Sequence, residues 1–217
     1  MKLYGIVGAG GYGREVMPLV QEVMLKSHLS ADTQCVFVVE NAKEKVVNGF
    51  PVLSPEEFFA IPADEKYFNV AIAASRARER ISTLFIDKGI LPFSVTSNHS
   101  VIYSTSEIGE GAIINPFAII SANSKVGRFF HANVYSYIAH DCIIGNYVTF
   151  APGVKCCGNV VVEDHAYVGA GAVIRQNTAE QPIIIGAGAV IGMGAIVTKS
   201  VPAGITVAGN PARPLIK

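Results

Sequence analysis

The sequence predicts two domains of different class. An α/β half-Rossmann domain spans residues 1–97, and an all-β parallel β-helix with a short C-terminal tail spans residues 98–217. Two observations carry this reading. A glycine-rich turn, Gly8-Ala9-Gly10-Gly11-Tyr12-Gly13, stands between a short apolar run and a helical pattern. Then, from Ile102 to Ala179, the chain keeps a six-residue beat without a slip.

Leu3 to Ala9 form a buried strand, and a helix runs from Arg14 to about Lys26. Gly8, Gly10 and Gly13 satisfy G-x-G-x-x-G in the strand–turn–helix setting that the motif requires. Such glycines let backbone amides approach a pyrophosphate at a helix N-terminus, where the dipole favours negative charge. A second strand, Cys35 to Val39, ends at Glu40, placed to reach a ribose hydroxyl. A third, Asn69 to Ala73, leads through Ala74-Ser75-Arg76 into a helix near Arg78 to Lys88. This is one mononucleotide-binding half rather than a whole dinucleotide fold. The expected ligand is a nucleoside diphosphate held by its pyrophosphate and sugar. A tight turn that only packs helix on strand is the plainer alternative.

The beat starts at Ile102, Ile108, Ile114, Ile120, Val126, Ala132, Ile138, Ile144, Phe150, Cys156, Val162, Val168 and Ile174, and ten of these thirteen are Ile or Val. The second place is often Gly (Gly109, Gly127, Gly145, Gly169), and the fifth is usually small. After Glu180 to Ile184 the beat resumes at Ile185, Ile191 and Val197. A period of six fits a short strand plus a tight corner. Three such units close one triangular coil of eighteen residues, and coils stack at roughly the 4.8 Å strand spacing. The aliphatic first place fills the axis. No coil buries its own core, so the stack is the cooperative unit.

Bulk properties narrow the function. Half of the residues are hydrophobic, so a sizeable core is expected. Seventeen basic and seventeen acidic side chains cancel, which argues against a binder of nucleic acid or anionic membrane driven by net charge. No apolar run is long enough to span a membrane, and the N-terminus opens a strand rather than a signal peptide, so the expected location is cytoplasmic. Cys35, Cys142, Cys156 and Cys157 lack zinc-site spacing; Cys142 and Cys156 fall on inward places. His131, His140 and His165 are neither eighteen nor thirty-six residues apart. They stack over Thr149, Gly158 and Tyr147 instead of one another, so no metal is expected. The sequence assigns no role to His28 or His99.

The repeat arithmetic singles out His140. It takes the third, outward place of its beat. One coil away lie Gly158 and Ala122, both small, which leaves room beside the imidazole. Gly158 can offer its backbone amide to an acyl carbonyl, so a base and an oxyanion donor fall within one strand spacing. Histidine is the natural base near neutral pH, and Asp141 would fix its tautomer. A mere surface pair is the alternative.

The order of domains, with Ala9-Gly10-Gly11-Tyr12-Gly13, Ala139-His140-Asp141-Cys142-Ile143-Ile144-Gly145, Cys157-Gly158-Asn159-Val160 and Ala208-Gly209-Asn210-Pro211-Ala212-Arg213, resembles one known group. It is similar to the hexapeptide-repeat nucleotide-sugar acetyltransferases of the bacillosamine and perosamine type and the related sialic-acid O-acetyltransferases. The resemblance covers nearly the whole chain. It implies a left-handed β-helix, with acetyl-CoA as co-substrate in a groove between subunits of a homotrimer. It implies N-acetylation of a nucleotide-linked amino-deoxy sugar for a bacterial surface glycan such as O-antigen, with His140 as general base and Asp141 its partner. Gly10, Gly11, Tyr12, Glu40, Ala73 and Ser75 fall on the sugar-nucleotide site. Thr149, Gly158, Ala170, Gly188, Lys199 and Arg213 are assigned to the coenzyme, the last two for its phosphates.

The chain departs from the family at several places. Thr149 replaces a second His that contacts the acetyl group, and Asp141 replaces Glu. Tyr12 stands where some members have His, Ala73-Ala74 replaces Gly-Asn, and Glu40 replaces Asp. O-acetylation of a sugar hydroxyl and a non-catalytic, nucleotide-binding trimeric sensor remain alternatives. The outward aromatics Phe117, Phe129, Tyr135, Tyr137 and Tyr147 are expected to form the trimer contact.

Overall fold

The computed structural model describes residues 1–26 and 32–215; His28 lies outside them. Contacts divide the chain into two compact units, Met1–Ser97 and Asn98–Lys217.

In the first unit, β1 (Lys2–Val7) is the central strand of a parallel sheet. It pairs with β2 (Thr33–Val38) on one side and with a strand at Glu65–Val70 on the other. Leu3 and Ile6 are fully buried, as expected of a strand covered on both faces. Helix α1 (Gly11–Lys26) begins three residues before the expected Arg14, because Gly10 O already accepts the Arg14 N–H at 3.0 Å. Gly13 has no room for any other residue: a Cβ there would lie 1.9 Å from Gly8 O. This contact brings helix onto strand and creates the turn.

Between the second and third expected strands lie elements that the apolar pattern did not reveal. They are a hairpin of β3 (Val46–Val47) and β4 (Phe50–Leu53), and the short helix α2 (Pro55–Ala60). Their local signals are present. Asn48-Gly49 adopts positive φ at both residues, the hairpin-turn chemistry. Ser54 and Glu57 form a reciprocal capping box ahead of α2.

The third expected strand is displaced: β5 is Glu65–Val70, not Asn69 to Ala73. Its end is set by register, since Val70 pairs with Val7, the last residue of β1. Ile72 and Ala73 instead form a turn whose carbonyls accept from Arg78 Nη1 at 2.7 and 3.3 Å. Helix α3 (Ser75–Asp87) starts earlier than expected and buries Arg78, Ser82 and Phe85 on one face. β6 (Leu91–Pro92) pairs with β5 at the sheet edge.

The second unit is a triangular parallel β-helix with an eighteen-residue register. One face stacks Ile113–Ile114, His131–Ala132, Thr149–Phe150, Tyr167–Val168, Val190–Ile191 and Thr206–Ala208. A second stacks Val101–Ile102, Ile119–Ile120, Tyr137–Ile138, Lys155–Cys156, Val173–Ile174 and Ile196–Val197. A third stacks Glu107–Ile108, Lys125–Val126, Ile143–Ile144, Val160–Val162 and Ile183–Ile185. First-place residues such as Ile120, Ile138, Phe150, Val168 and Ile174 are buried on the axis. Ile184 pairs with Val161, so the inserted residues lie earlier than Glu180 to Ile184, in a loop between Ile174 and Ile183 narrowed by a Thr178–Gln181 bridge.

The small second place has a steric cause. A Cβ at Gly109, Gly127, Gly145 or Gly169 would come within 2.7 Å of the backbone of the next coil. The corners turn on left-handed backbone: every sixth residue from Gly111 to Gly171 has positive φ, including Phe117, Phe129, Tyr135, Asp141, Tyr147 and His165. Such φ is uncommon outside Gly and Asn. Here the stack compensates, because these rings lie on one another. Phe129–Tyr147 and Tyr147–His165 are parallel at 5.5 and 5.3 Å, and Phe117–Tyr135 at 5.0 Å.

The expected outward aromatic surface is corrected by this packing. Phe129 and Tyr147 are buried, with the Arg128 guanidinium over both rings, and Tyr137 is half-buried. Phe117 and Tyr135 are exposed, at 51% and 64%. At the C-terminal end, Arg213–Pro214 folds back antiparallel on Thr206–Ala208. Among the described residues, no helix is long and apolar enough to cross a membrane.

Candidate active site

His140 stands at the corner after Tyr137–Ile138, and Asp141 is the left-handed residue that turns it, with φ 57°. The turn brings the two side chains side by side: His140 Nδ1 lies 2.8 Å from Asp141 Oδ2, and both are half-exposed. The hydrogen bond to His140, and then one from Asn123 Nδ2 at 3.2 Å, hold the Asp141 carboxyl below its ordinary value. With Nδ1–H donated to a carboxylate, the imidazole presents Nε2 as an acceptor. Asn123 was missed in the sequence reading, yet the eighteen-residue register places it one coil from Asp141.

Gly158 lies directly against the ring. A Cβ on residue 158 would sit 2.6 Å from His140 Nε2, so the imidazole occupies the space that a side chain would fill. Gly158 O accepts from Asn177 N–H at 3.2 Å. Among the described residues no acceptor takes the Gly158 N–H, although the residue is buried. Buried amides without partners are rare in folded chains, and one beside a histidine is an obvious donor to an oxyanion.

The other residues assigned to the coenzyme are dispersed in the chain. Lys199 follows Val197 as His140 follows Ile138, so it lies on the same corner, three coils or roughly 14 Å along the stack. It is exposed. Ala170 is exposed at a second corner, and Gly188 is at the third. Within one chain the three small residues therefore do not line one groove. The Gly188 amide is also committed, to Asp164 O at 2.9 Å. Thr149 is buried on the face of His131 and Tyr167, not beside His140. Arg213 is exposed on the closing strand, with Nη1 3.0 Å from Ala212 O.

In the first unit, Gly10 and Gly11 face open space: a Cβ at either meets nothing within 4 Å. Gly10 lines a cleft of about 240 Å³ with Ala9, Val39 and Lys43. Exposed Glu40 lines a neighbouring cleft of about 490 Å³ with Asn41, Lys45 and Ser54. Glu40 also meets Gly8 and Ile72 in a cavity of about 130 Å³. Tyr12 is half-buried on the first turn of α1, Ala73 is exposed, and Ser75 opens α3. Arg78, read from the sequence only as the start of a helix, is fully buried and pins the Ile72–Ala73 turn that these clefts adjoin. Its signal was the spacing Arg78, Ser82, Phe85, one face of an amphipathic helix.

Comparison with known proteins adds to this geometry. A family model described as the PglD N-terminal domain matches residues 5–85. Over 213 residues the chain is 56% identical to a GDP-perosamine N-acetyltransferase of Escherichia coli O157:H7, covering 98% of this chain and 96% of that protein. The structure of WeeI from Acinetobacter baumannii AYE is 52% identical, with TM-score 0.95 over 99% of this chain and 100% of that one. The acetyltransferase domain of PglB from Neisseria gonorrhoeae FA1090, solved in complex with acetyl coenzyme A, is 27% identical, with TM-score 0.86 over 98% of each chain. A half-Rossmann unit, a β-helix of this register and a relative matched along its length lead to one assignment: the chain belongs to the hexapeptide-repeat nucleotide-sugar N-acetyltransferases of the bacillosamine and perosamine type, an acyltransferase family with a left-handed β-helix.

Proposed function

We propose that this protein transfers the acetyl group of acetyl-CoA to the amino group of a nucleotide-linked amino-deoxy sugar, with His140 as general base. The observation that carries the reading is the His140–Asp141 pair lying against a buried glycine whose amide has no acceptor among the described residues. A GDP-linked amino sugar is the first acceptor to try, given the relative at 56% identity.

Asp141 holds Nδ1–H, so Nε2 takes a proton from the sugar's amine as its nitrogen attacks the thioester carbon. The Gly158 amide donates to the carbonyl oxygen as negative charge develops there. The carbon–sulfur bond breaks, and the thiolate receives a proton, for which the His140 imidazolium is the nearest source. Amine and thioester thus become amide and thiol. Direct attack in a ternary complex suits these residues: Cys142 and Cys156 are buried, and no basic side chain is bonded to Cys157 among the described residues. Gly10 and Gly11 accept the sugar nucleotide's pyrophosphate, and Glu40 its ribose. Lys199 meets the coenzyme's phosphates. Thr149, Ala170, Gly188 and Arg213 reach the coenzyme only if a neighbouring copy contributes them, so the reading includes a homotrimer.

The test is thiol release from acetyl-CoA with GDP-, UDP- and dTDP-linked amino sugars, each beside its hydroxyl analogue. His140→Ala is expected to lower turnover by roughly 10²–10⁴-fold, the usual worth of a general base, with acceptor binding little changed. Full turnover in that variant removes His140 from the mechanism. Release with the hydroxyl sugar alone selects O-acetylation, and absence of release with every acceptor selects the sensor.

A further inference from the structure

The two ends of the Cys157–Gly158 peptide have different surroundings. Cys142 Sγ lies 3.2 Å from Cys157 O, and Cys156 Sγ lies 3.9 Å from the same oxygen. Both thiols are fully buried, so this carbonyl is drawn toward the interior. The peptide is trans; the cis bond in the described chain is Asn210–Pro211. In a trans peptide the carbonyl and the N–H point in opposite directions. A carbonyl anchored inside therefore turns the Gly158 N–H away from the axis, toward the side on which the His140 ring lies.

Packing alone does not require sulfur here. Cys142 takes the fifth place of its beat, which Ala112, Ala118, Ala166 and Ala172 fill elsewhere in the same core. Sulfur adds a donor where those residues supply only volume. Its position is fixed from behind: Cys142 N donates to Ser124 Oγ at 3.3 Å, and that hydroxyl donates to Ala139 O at 2.7 Å. Cys142 Sγ is also 3.7 Å from His140 O, so one side chain touches the backbone of both the base and the oxyanion donor's peptide. Its interaction with Cys142, and then burial, push the Cys156 thiol well above its ordinary value, so Cys156 stays protonated beside the same carbonyl.

We infer that Cys142 is a positioning residue for acetyl transfer: its thiol, backed by Cys156, fixes the Cys157–Gly158 peptide plane and aims the Gly158 amide at the acyl oxygen. Donation from the Cys142 thiol to Cys157 O also polarises the peptide, which makes its N–H a better donor. The inference rests on the proposed transfer at His140.

Cys142→Ala and Cys142→Ser test it, because the two substitutes are close in volume and differ in the donor. Cys142→Ala is expected to lower kcat by roughly 2–5-fold, the worth of one thiol–carbonyl bond. KM for the acceptor and for acetyl-CoA should be unchanged, and Cys142→Ser should recover most of the lost kcat. Wild-type kcat in Cys142→Ala overturns the inference. So does equal impairment of the two variants, which would make the effect one of packing. His140→Ala, run in the same series, separates the two levels: wild-type turnover there defeats the proposed base, whereas an inactive His140→Ala beside a fully active Cys142→Ala defeats only the role of the thiol.

Discussion

The imidazole of His140 lies against the α-carbon of Gly158 so closely that a methyl group on residue 158 would meet Cε1 at 2.5 Å and Nε2 at 2.6 Å. Gly158→Ala must therefore displace the ring. The ring is the free end of a side chain and can swing outward, so the fold should survive with its melting temperature nearly unchanged. Turnover should fall by up to about 10²-fold, the usual penalty for misplacing a reacting group by an ångström. A variant with wild-type kcat shows that the base does not work from this contact.

Asp141 gives a pH prediction with a defined sign. Its carboxyl is held below the ordinary value, first by His140 and then by Asn123. A lowered folded pKa contributes stability that is complete above the unfolded value, about 3.9 for Asp, and is lost as pH falls through the folded value. Removing the Asn123 bond should raise that folded value. Asn123→Ala is then expected to shift the acid limb of both stability and activity to higher pH, by a fraction of a unit because the pair is half-exposed. Carbon-detected titration of the Asp141 carboxyl reads it directly. A shift to lower pH contradicts the assignment.

The glycine turn offers a contrast between neighbouring positions. Gly10 faces open space, while a Cβ on Gly13 would meet Gly8 O at 1.9 Å. Gly10→Val should leave the melting temperature close to wild type and weaken binding of the sugar nucleotide by about tenfold or more, because bulk there occupies the ligand's path to the backbone. Gly13→Ala should instead compromise folding of the unit. Calorimetric titration of Gly10→Val with each substrate decides the point. A loss of acetyl-CoA affinity in place of sugar-nucleotide affinity would mean that the ligands belong to the opposite units.

The β-helix was legible because its constraint is periodic. Ile138, Ile144 and Val162 recur on the beat since each fills one slot of a common axis, and Gly127 and Gly145 recur because the next coil's backbone passes where a side chain would be. The same register made the His140–Gly158 contact predictable from an eighteen-residue difference. That arithmetic also separates Ala170 and Gly188 from Gly158 within one chain. Twelve residues past Gly158 is two-thirds of a turn, so Ala170 occupies another corner. The β3–β4 hairpin and α2 were overlooked because their signals, Asn48-Gly49 and Ser54-Pro55-Glu56-Glu57, are local turn and cap chemistry rather than apolar periodicity. Burial of Phe129 and Tyr147 was not readable from the beat, since the fourth place exposes Phe117 and Tyr135 and buries these two.

That same glycine column predicts where the β-helix is least tolerant. A Cβ on Gly127 would lie 2.6 Å from Gly145 C and 2.7 Å from Asn146 N, both backbone atoms of the next coil. Neither can move without separating the parallel strands Lys125–Val126 and Ile143–Ile144. Gly127→Ala is expected to destabilise the second unit by about 1–3 kcal/mol, the usual cost of overpacking. Chemical denaturation measures it, and a loss below a few tenths of a kcal/mol would mean that the coils separate more easily than this packing allows.

Assembly can be tested with two aromatic residues at equivalent places in the beat. Tyr135 is 64% exposed and stacked on Phe117 at 5.0 Å, whereas Phe129 is fully buried beneath Arg128 and Tyr147. If three β-helices pack around a threefold axis, exposed apolar rings are the surface that the contact removes from water. Wild-type protein should then sediment as a trimer at micromolar concentration, and Tyr135→Asp should shift it toward monomer with little change in the chain's own unfolding. Phe129→Ala should do the reverse, costing about 3–5 kcal/mol of folding stability as a truncated core aromatic does, without a specific effect on assembly. A stable wild-type monomer would remove the intersubunit groove and with it any role for Thr149, Ala170 and Gly188 in holding the coenzyme, since within one chain these residues lie away from the His140 corner.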